Sequence, residues 1–281
     1  MAIETAFTDC PICGPSKREH LFRKDGWNIV RCESCSLVMV NPRRTNSSKI
    51  YESDTYFSDE AFYYDYAGNK AAYQKGFRSK LKLICQYCTT RGKLLDVGAA
   101  YGFFMKEATK HGFVPFGVEL SNYAAKQATR YGEVFHQPLS RVETDARFNV
   151  VTFIDSLEHF EDPLGGLRKA WDLLERNGIV AVMVPNIDSM FARITGVKWH
   201  LLLPEEHLFY FTPKSIRLVL SKAGFETVHL GTGGYGRSAA EILRVVFRGT
   251  GLRLDSLDTF LKKITFEVNL GDIFAIARKV G

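Results

Sequence analysis

From about residue 78 onward, short apolar runs alternate with amphipathic stretches. The runs at 93–97, 114–119, 133–136, 148–154, 178–184 and 225–230 have the length and the branched or aromatic content of strands. The stretches at 102–111, 122–131, 163–176 and 213–223 carry apolar residues at helical spacing, and a further helix is expected over Ser79–Cys88. Local punctuation agrees. Ser121 precedes one helix as a cap, and Asp162-Pro163 and Thr212-Pro213 each read as a cap followed by proline at the first helical position. Asn177-Gly178 and Gly224 read as helix stops. Alternation of this kind predicts a parallel sheet with helices on both faces. Residues 238–265 read as helical again, and Thr265–Ala277 reads as a closing extended segment.

The tip of the first strand carries the most information. Leu94-Leu95-Asp96-Val97-Gly98-Ala99-Ala100-Tyr101-Gly102 is a buried strand, an acid, a glycine turn and a helix start. Such a turn lets bare backbone approach a ligand. The next strand, Val114–Val118, runs into Glu119, where nucleotide-binding α/β folds grip ribose hydroxyls. The glycine spacing is not that of the dinucleotide fingerprint, and no phosphate-cradling Lys-Ser/Thr follows it. An acid before the turn suits a cationic or hydroxyl-bearing ligand better than a pyrophosphate.

The first 45 residues follow a different logic. Cys10-Pro-Ile-Cys13 and Cys32-Glu-Ser-Cys35 lie 18 residues apart, with Gly14 directly after the first pair. Four thiolates at this spacing can converge on one tetrahedral zinc, and a unit this small needs such a staple to hold a core. All four positions would be protein, so the zinc is expected to be structural. Cys85 and Cys88 fall within the expected helix and read as core packing. Residues 46–77 hold half of the 12 tyrosines and read either as a lid over a substrate or as a linker docked on the main domain.

The 281 residues suit one medium domain, here residues 78–281, with a small appendage. Net charge is +6, an excess that permits an anionic partner without demanding one. Residues 1–9 lack a basic start and an apolar core, and no apolar run is long enough to span a bilayer, so a cytoplasmic location with no membrane partner is expected.

At these residues the chain resembles the class I methyltransferases that use S-adenosylmethionine. Asp96, Gly98 and Gly102 match the family's first motif, with Ala100 where a central glycine is often found, and Glu119 matches the acid on the ribose diol. Asp155, in Phe153-Ile154-Asp155-Ser156-Leu157-Glu158-His159, matches the fourth-strand segment along the methionine end; Val182–Asn186 matches the fifth strand. The resemblance implies a Rossmann-like α/β fold with a seven-stranded sheet whose last strand runs antiparallel. It implies S-adenosylmethionine as cofactor, with Leu120 among the residues that bind it and Gln137 as the candidate against adenine. The cysteine ribbon, Pro42-Arg43 and Glu206-His207-Leu208-Phe209-Tyr210-Phe211-Thr212 are similar to sugar C-methyltransferases, in which a Glu-His pair is tied to proton transfer. Those enzymes usually carry a further C-terminal domain.

Methyl transfer from a sulfonium needs alignment and dryness, and a base only where the acceptor must lose a proton. His207 is the first candidate, with Glu206 placed to raise or orient it, and His159, after the fourth strand, is the second. His200 is a candidate for the wall of the acceptor pocket. The acceptor is read as an oxygen or carbon of a small molecule, a sugar or a secondary metabolite. Two other readings are an RNA base methyltransferase gripping RNA with the ribbon, and a binding protein that kept the fold. The first 50 residues carry eight basic side chains interleaved with five acids, a weak nucleic-acid footprint, and the Asn/Asp-Pro-Pro-aromatic motif of amino-group methylation is missing after the fourth strand.

Overall fold

A computed structural model describes residues 4–52, 70–240, 243, 258–261 and 264–281. Its centre is a mixed sheet of seven strands: β6 (Lys93–Val97), β7 (Val114–Val118), β8 (Glu133–Phe135), β9 (Phe148–Ile154), β10 (Leu174–Pro185), β12 (Phe225–Ser238) and β13 (Thr265–Lys279). The order across it is β12-β13-β10-β9-β6-β7-β8. Strands β6 to β10 run parallel, and β13 pairs antiparallel with both β10 and β12. This is the expected sheet, with its reversed last strand.

Strand alternation divides the core between two faces. Leu94, Val150, Ile179, Ala181 and Met183 point to one face, where α2 (Lys70–Tyr87) and α3 (Phe103–Lys110) bury Phe77, Leu81, Ile84 and Phe104. Their neighbours Leu95, Val151, Val180 and Val182 point to the other, where α5 (Pro163–Leu173) and α7 (Pro213–Lys222) lie. The caps form as expected. Ser121 accepts from Ala124 N–H at the start of α4 (Asn122–Ala128), Asp162 accepts from Gly165 N–H, and Thr212 accepts from Ser215 N–H.

Two expectations change. Helix α5 stops at Leu173, and Asn177-Gly178 is no helix stop: Asn177, at φ 64°, sits in an irregularity of β10 between Leu174 and Ile179. Strand β12 runs to Ser238, past the expected end at 230, because β13 is long enough to pair with it throughout. Of the helical stretch expected over 238–265, the described part includes Asp258–Leu261, numbered α8; most of the remainder lies outside the described residues, as do Tyr56, Phe57, Phe62, Tyr63, Tyr64 and Tyr66.

The N-terminal unit holds β1 (Thr5–Ala6), β2 (Arg18–Lys24), β3 (Trp27–Cys32), β4 (Val38–Val40), β5 (Arg43–Arg44) and α1 (Lys49–Glu52). Strands β2 and β3 close through Asp25-Gly26, both at positive φ, the two-residue turn that matches strand twist. A fourth strand completes this sheet from far along the chain. β11 (Phe209–Tyr210) pairs with β4, giving the order β11-β4-β3-β2. The connection from β10 to β11 carries α6 (Met190–Thr195). Val30, Leu37 and Met39 share one core cluster with Leu208, Phe209 and Ile216.

Candidate active site and zinc cluster

The sulfurs of Cys10, Cys13, Cys32 and Cys35 all lie within 4.8 Å of one another. The Cys10 and Cys35 sulfurs are 3.6 Å apart, close to the ~3.8 Å edge of a tetrahedron with Zn–S bonds of ~2.3 Å. Each knuckle turns through a left-handed residue, Gly14 at φ 72° and Ser36 at φ 66°. Sharing of a proton between these crowded thiols pulls Cys10 down to about 5 and pushes Cys35 up. The donor set fits zinc, which would hold all four as thiolates. Two lysines of α7 tie the knuckles to the main domain: Lys222 Nζ donates to Ile12 O at 2.7 Å, and Lys214 Nζ to Ser34 O at 2.9 Å. Neither contact was legible in the sequence.

At the carboxyl ends of the parallel strands, Gly98 (φ 83°) and Gly102 (φ 73°) make the expected turn. A Cβ on Gly98 would stand 2.8 Å from the Ser156 Cβ, and one on Gly102 would stand 2.9 Å from the Ala128 Cα. Only glycine fits both the angle and the space. Glu119 is buried, and its carboxylate binds the turn. Oε2 accepts from Ala100 N–H, and Oε1 accepts from Leu120 and Ser121 N–H, all at 2.8 Å. A carboxylate has about four acceptor positions, so one remains on Oε2 for a ligand hydroxyl. Leu120 follows directly and half-faces solvent. Burial raises the Glu119 pKa, and the three N–H donors pull against it.

Asp96 lies deeper than the sequence alone suggests. It is 3 % exposed, paired in register with Gly117 and Thr152, and accepts from Thr152 Oγ1 at 2.7 Å. Burial lifts its pKa to about 7; the Thr152 bond opposes this and the Glu119 charge adds to it. Asp155 stands at the tip of β9 with φ 52°, a left-handed angle rare outside glycine. Ser156 Oγ donates to Val97 O at 2.7 Å and locks this tip to the glycine turn. Gln137 follows β8, half-buried, and donates to Arg141 O at 3.3 Å. Glycine turn, acid-tipped second strand and β9 tip thus share one edge, and the turn's glycines, bare of side chains, with the remaining acceptor position on Glu119 suit an adenosyl donor.

The residues after β9 meet those before β11. Leu208 N–H donates to Glu158 O at 3.0 Å, which brings the His159 and His207 rings to 4.9 Å between centroids. Glu206 and His207 sit where backbone N–H groups return to Leu203 O, so they occupy a turn and not a strand. His207 Nδ1 donates to Leu201 O at 2.8 Å. Burial, then the neighbouring His159, hold its pKa well below the usual value. The expected lift from Glu206 is not found; the Leu201 carbonyl sets the ring's orientation. Glu206 contributes its backbone carbonyl, 2.9 Å from His159 Nδ1. Burial lowers His159 to about 4. Tyr51, from the tyrosine-rich stretch, places its hydroxyl 2.6 Å from the same nitrogen. Glu158, 1 % exposed, is raised well above its usual pKa by burial and by the charge of Asp155. His200 packs edge-on to Phe191 at 5.7 Å.

This sheet order with a glycine turn and an acid at its first two parallel tips defines the class I, S-adenosylmethionine-dependent methyltransferases. Comparison with known proteins agrees. Residues 70–230 match the family model described as a methyltransferase domain. The ubiquinone biosynthesis O-methyltransferase of Coxiella burnetii is 31% identical over 146 residues, 48% of this chain and 59% of that protein. The chain thus spans about three fifths of the curated relatives it matches. The 1,6-didemethyltoxoflavin-N1-methyltransferase of Burkholderia thailandensis, solved with 1,6-didemethyltoxoflavin and S-adenosylhomocysteine, superposes with TM-score 0.56 at 16% identity, covering 94% of this chain and 100% of that one. The magnesium protoporphyrin IX methyltransferase of Synechocystis with bound S-adenosylhomocysteine gives TM-score 0.54 at 13% identity, covering 83% and 97%. The chain belongs to the methyltransferase-domain family of S-adenosylmethionine-dependent enzymes. Among the described residues no helix is long and apolar enough to cross a membrane.

Proposed function

We propose that this methyltransferase transfers its methyl group to an oxygen or carbon of a small molecule, a sugar or a secondary metabolite, whose proton must leave. The observation that carries this reading is the pair of neutral imidazoles, half-buried His159 and buried His207, beside the β9 tip that abuts the glycine turn. A neutral imidazole out of water can accept a proton from a hydroxyl or an acidified C–H. In this reading Glu119 binds the ribose, Gly98, Gly102 and Leu120 line the donor, Asp155 lies along its methionine end, and Gln137 meets the adenine. Asp96 supports the turn from beneath. Glu206 positions His159 through its carbonyl.

Oxygen as acceptor atom is supported by the O-methyltransferase from Coxiella. A ribbon used to grip RNA is less consistent with the knuckle carbonyls of Ile12 and Ser34, which already bind lysines of α7. Calorimetry with S-adenosylhomocysteine tests the donor half: native chain is expected to bind, and Glu119→Ala to bind at least about tenfold more weakly. Turnover across hydroxylated acceptors tests the other half. His207→Ala is expected to lose turnover and keep donor binding; loss of donor binding in a folded His207→Ala protein would refute the assignment.

A further inference from the structure

The cluster beside the donor turn has a feature that proton abstraction does not use. Glu158 is buried, and its Oε2 makes no hydrogen bond. The charged groups acting on it are Asp155 and Asp272, both acids. Among the described residues no lysine or arginine forms an ion pair with it. A buried carboxylate surrounded in this way needs either a proton or a cation.

One donor atom from each of Glu158, His159 and His207 lies within 4.8 Å of the others. The Nδ1 of His207 carries a hydrogen, because its partner, the Leu201 carbonyl, can only accept. Nε2 is left with a lone pair. The His159 Nδ1 likewise faces the Glu206 carbonyl at 2.9 Å. Imidazoles anchored by a backbone carbonyl in this manner are the usual outer support of metal-bound histidine.

We propose that Glu158, His159 and His207 form a second metal site, a two-histidine, one-carboxylate centre for a divalent transition ion such as zinc, separate from the four-cysteine cluster. Two nitrogens and one oxygen suit zinc or iron(II) better than magnesium or calcium, which take oxygen. Three protein ligands leave at least one position open, unlike the closed cysteine set. His159 is only half-buried, so that position has a path to solvent and acceptor. This assignment rests on the methyltransferase reading for its role, replaces direct proton uptake by the two imidazoles with ionisation of a metal-bound hydroxyl, and narrows the acceptor to one that offers an oxygen ligand. The ion would acidify the bound hydroxyl, whose proton leaves to water. The resulting metal-bound alkoxide or phenolate forms the new O–CH3 bond as the S–CH3 bond breaks, and that electron pair stays on sulfur. The products are the methyl ether and neutral S-adenosylhomocysteine.

The test counts metal on the full chain, starting with the cysteine cluster loaded to one zinc. Titration with zinc chloride is expected to show a second equivalent. Glu158→Gln, which keeps size and fold, and His207→Gln are each expected to weaken that equivalent by about tenfold or more. A native chain that takes up no second equivalent overturns the proposal; so does a second equivalent unchanged in both variants. Binding of S-adenosylhomocysteine, measured on the same preparations, checks the methyltransferase reading independently. A chain with two metals and no donor binding keeps the site and removes its role.

Discussion

Asp96 makes the stability of this chain depend on pH in a direction opposite to that of most surface acids. An aspartate in an unfolded chain titrates near 3.9. In the folded protein burial lifts Asp96 to about 7, even with the Thr152 hydroxyl bound to it. Below about pH 4 both states hold the proton, and the folded state bears no ionic cost. As pH rises the unfolded chain releases its proton first, and the folded chain keeps its own until about 7. Stability is therefore fully present below the unfolded value and lost as pH climbs through the folded one. A shift of this size corresponds to about 4 kcal/mol in all, of which roughly a third falls between pH 6 and pH 8.5.

Denaturant unfolding at those two pH values, without donor and with zinc on the cysteines, reads this directly. Asp96→Asn keeps an acceptor for Thr152 and removes the titration. The native chain is expected to lose on the order of 1 kcal/mol more than the variant between pH 6 and pH 8.5. Taking the difference cancels the histidines and thiols that titrate in both proteins. Equal losses in the two would refute the claim that Asp96 is held in its neutral form by burial.

Other substitutions probe the same edge and the ribbon. Thr152→Val removes the hydroxyl from the Asp96 carboxylate and is expected to cost about 1–3 kcal/mol at pH 8, measured by denaturant unfolding. Gly102→Ala forces a Cβ against the Ala128 backbone at a left-handed φ; a loss of about 1–3 kcal/mol and a lower melting temperature are expected, with weaker S-adenosylhomocysteine binding. Replacing Cys10 and Cys13 with serine, which removes only the ribbon's metal ligands, is expected to cut turnover about tenfold or more, because β11, paired to the ribbon's β4, begins two residues after His207. Donor affinity, read by calorimetry, is expected to change by less than about twofold, since β6, β7 and β8 make no strand pairing with the ribbon.

The glycine turn and its neighbouring acid were legible as one sheet edge because the pattern is written in short contiguous runs. An apolar strand, an acid, two glycines and a second acid about 20 residues on must all lie at one sheet edge once the strands are parallel. The cysteine spacing was legible for the same reason, since each knuckle closes within five residues. What escaped reading came from contacts across long separations. Tyr51 reaches His159 over 108 positions, Lys222 reaches Ile12 over 210, and Phe209–Tyr210 completes a sheet that begins at Arg18. No local pattern announces such pairs. Burial escaped too. Asp96 reads as an acid at a strand tip by sequence, and the packed strands around it turn it into a group that resists ionisation; Glu158 is buried to the same effect.

The two halves of the candidate site are consequently held by different parts of the chain. The proposed donor contacts hang on β6, β7 and β9, whose register is fixed by parallel pairing through the middle of the sheet. The proposed acceptor-side residues His200, Glu206 and His207 lie on the connection between β10 and β11, and β11 is anchored to the ribbon before the chain returns through α7 to the sheet at β12. The cysteine cluster would serve structure alone if it holds zinc, yet the strand paired to its ribbon fixes where His207 stands. A family of such chains can then change acceptor by altering the ribbon, the 186–212 connection or the tyrosine-rich stretch, while the glycine turn and Glu119 stay as they are. On this account a ribbon exchanged between two relatives should carry acceptor preference with it and leave S-adenosylhomocysteine affinity behind; a chimera that keeps the preference of its sheet would show that the ribbon only stabilises.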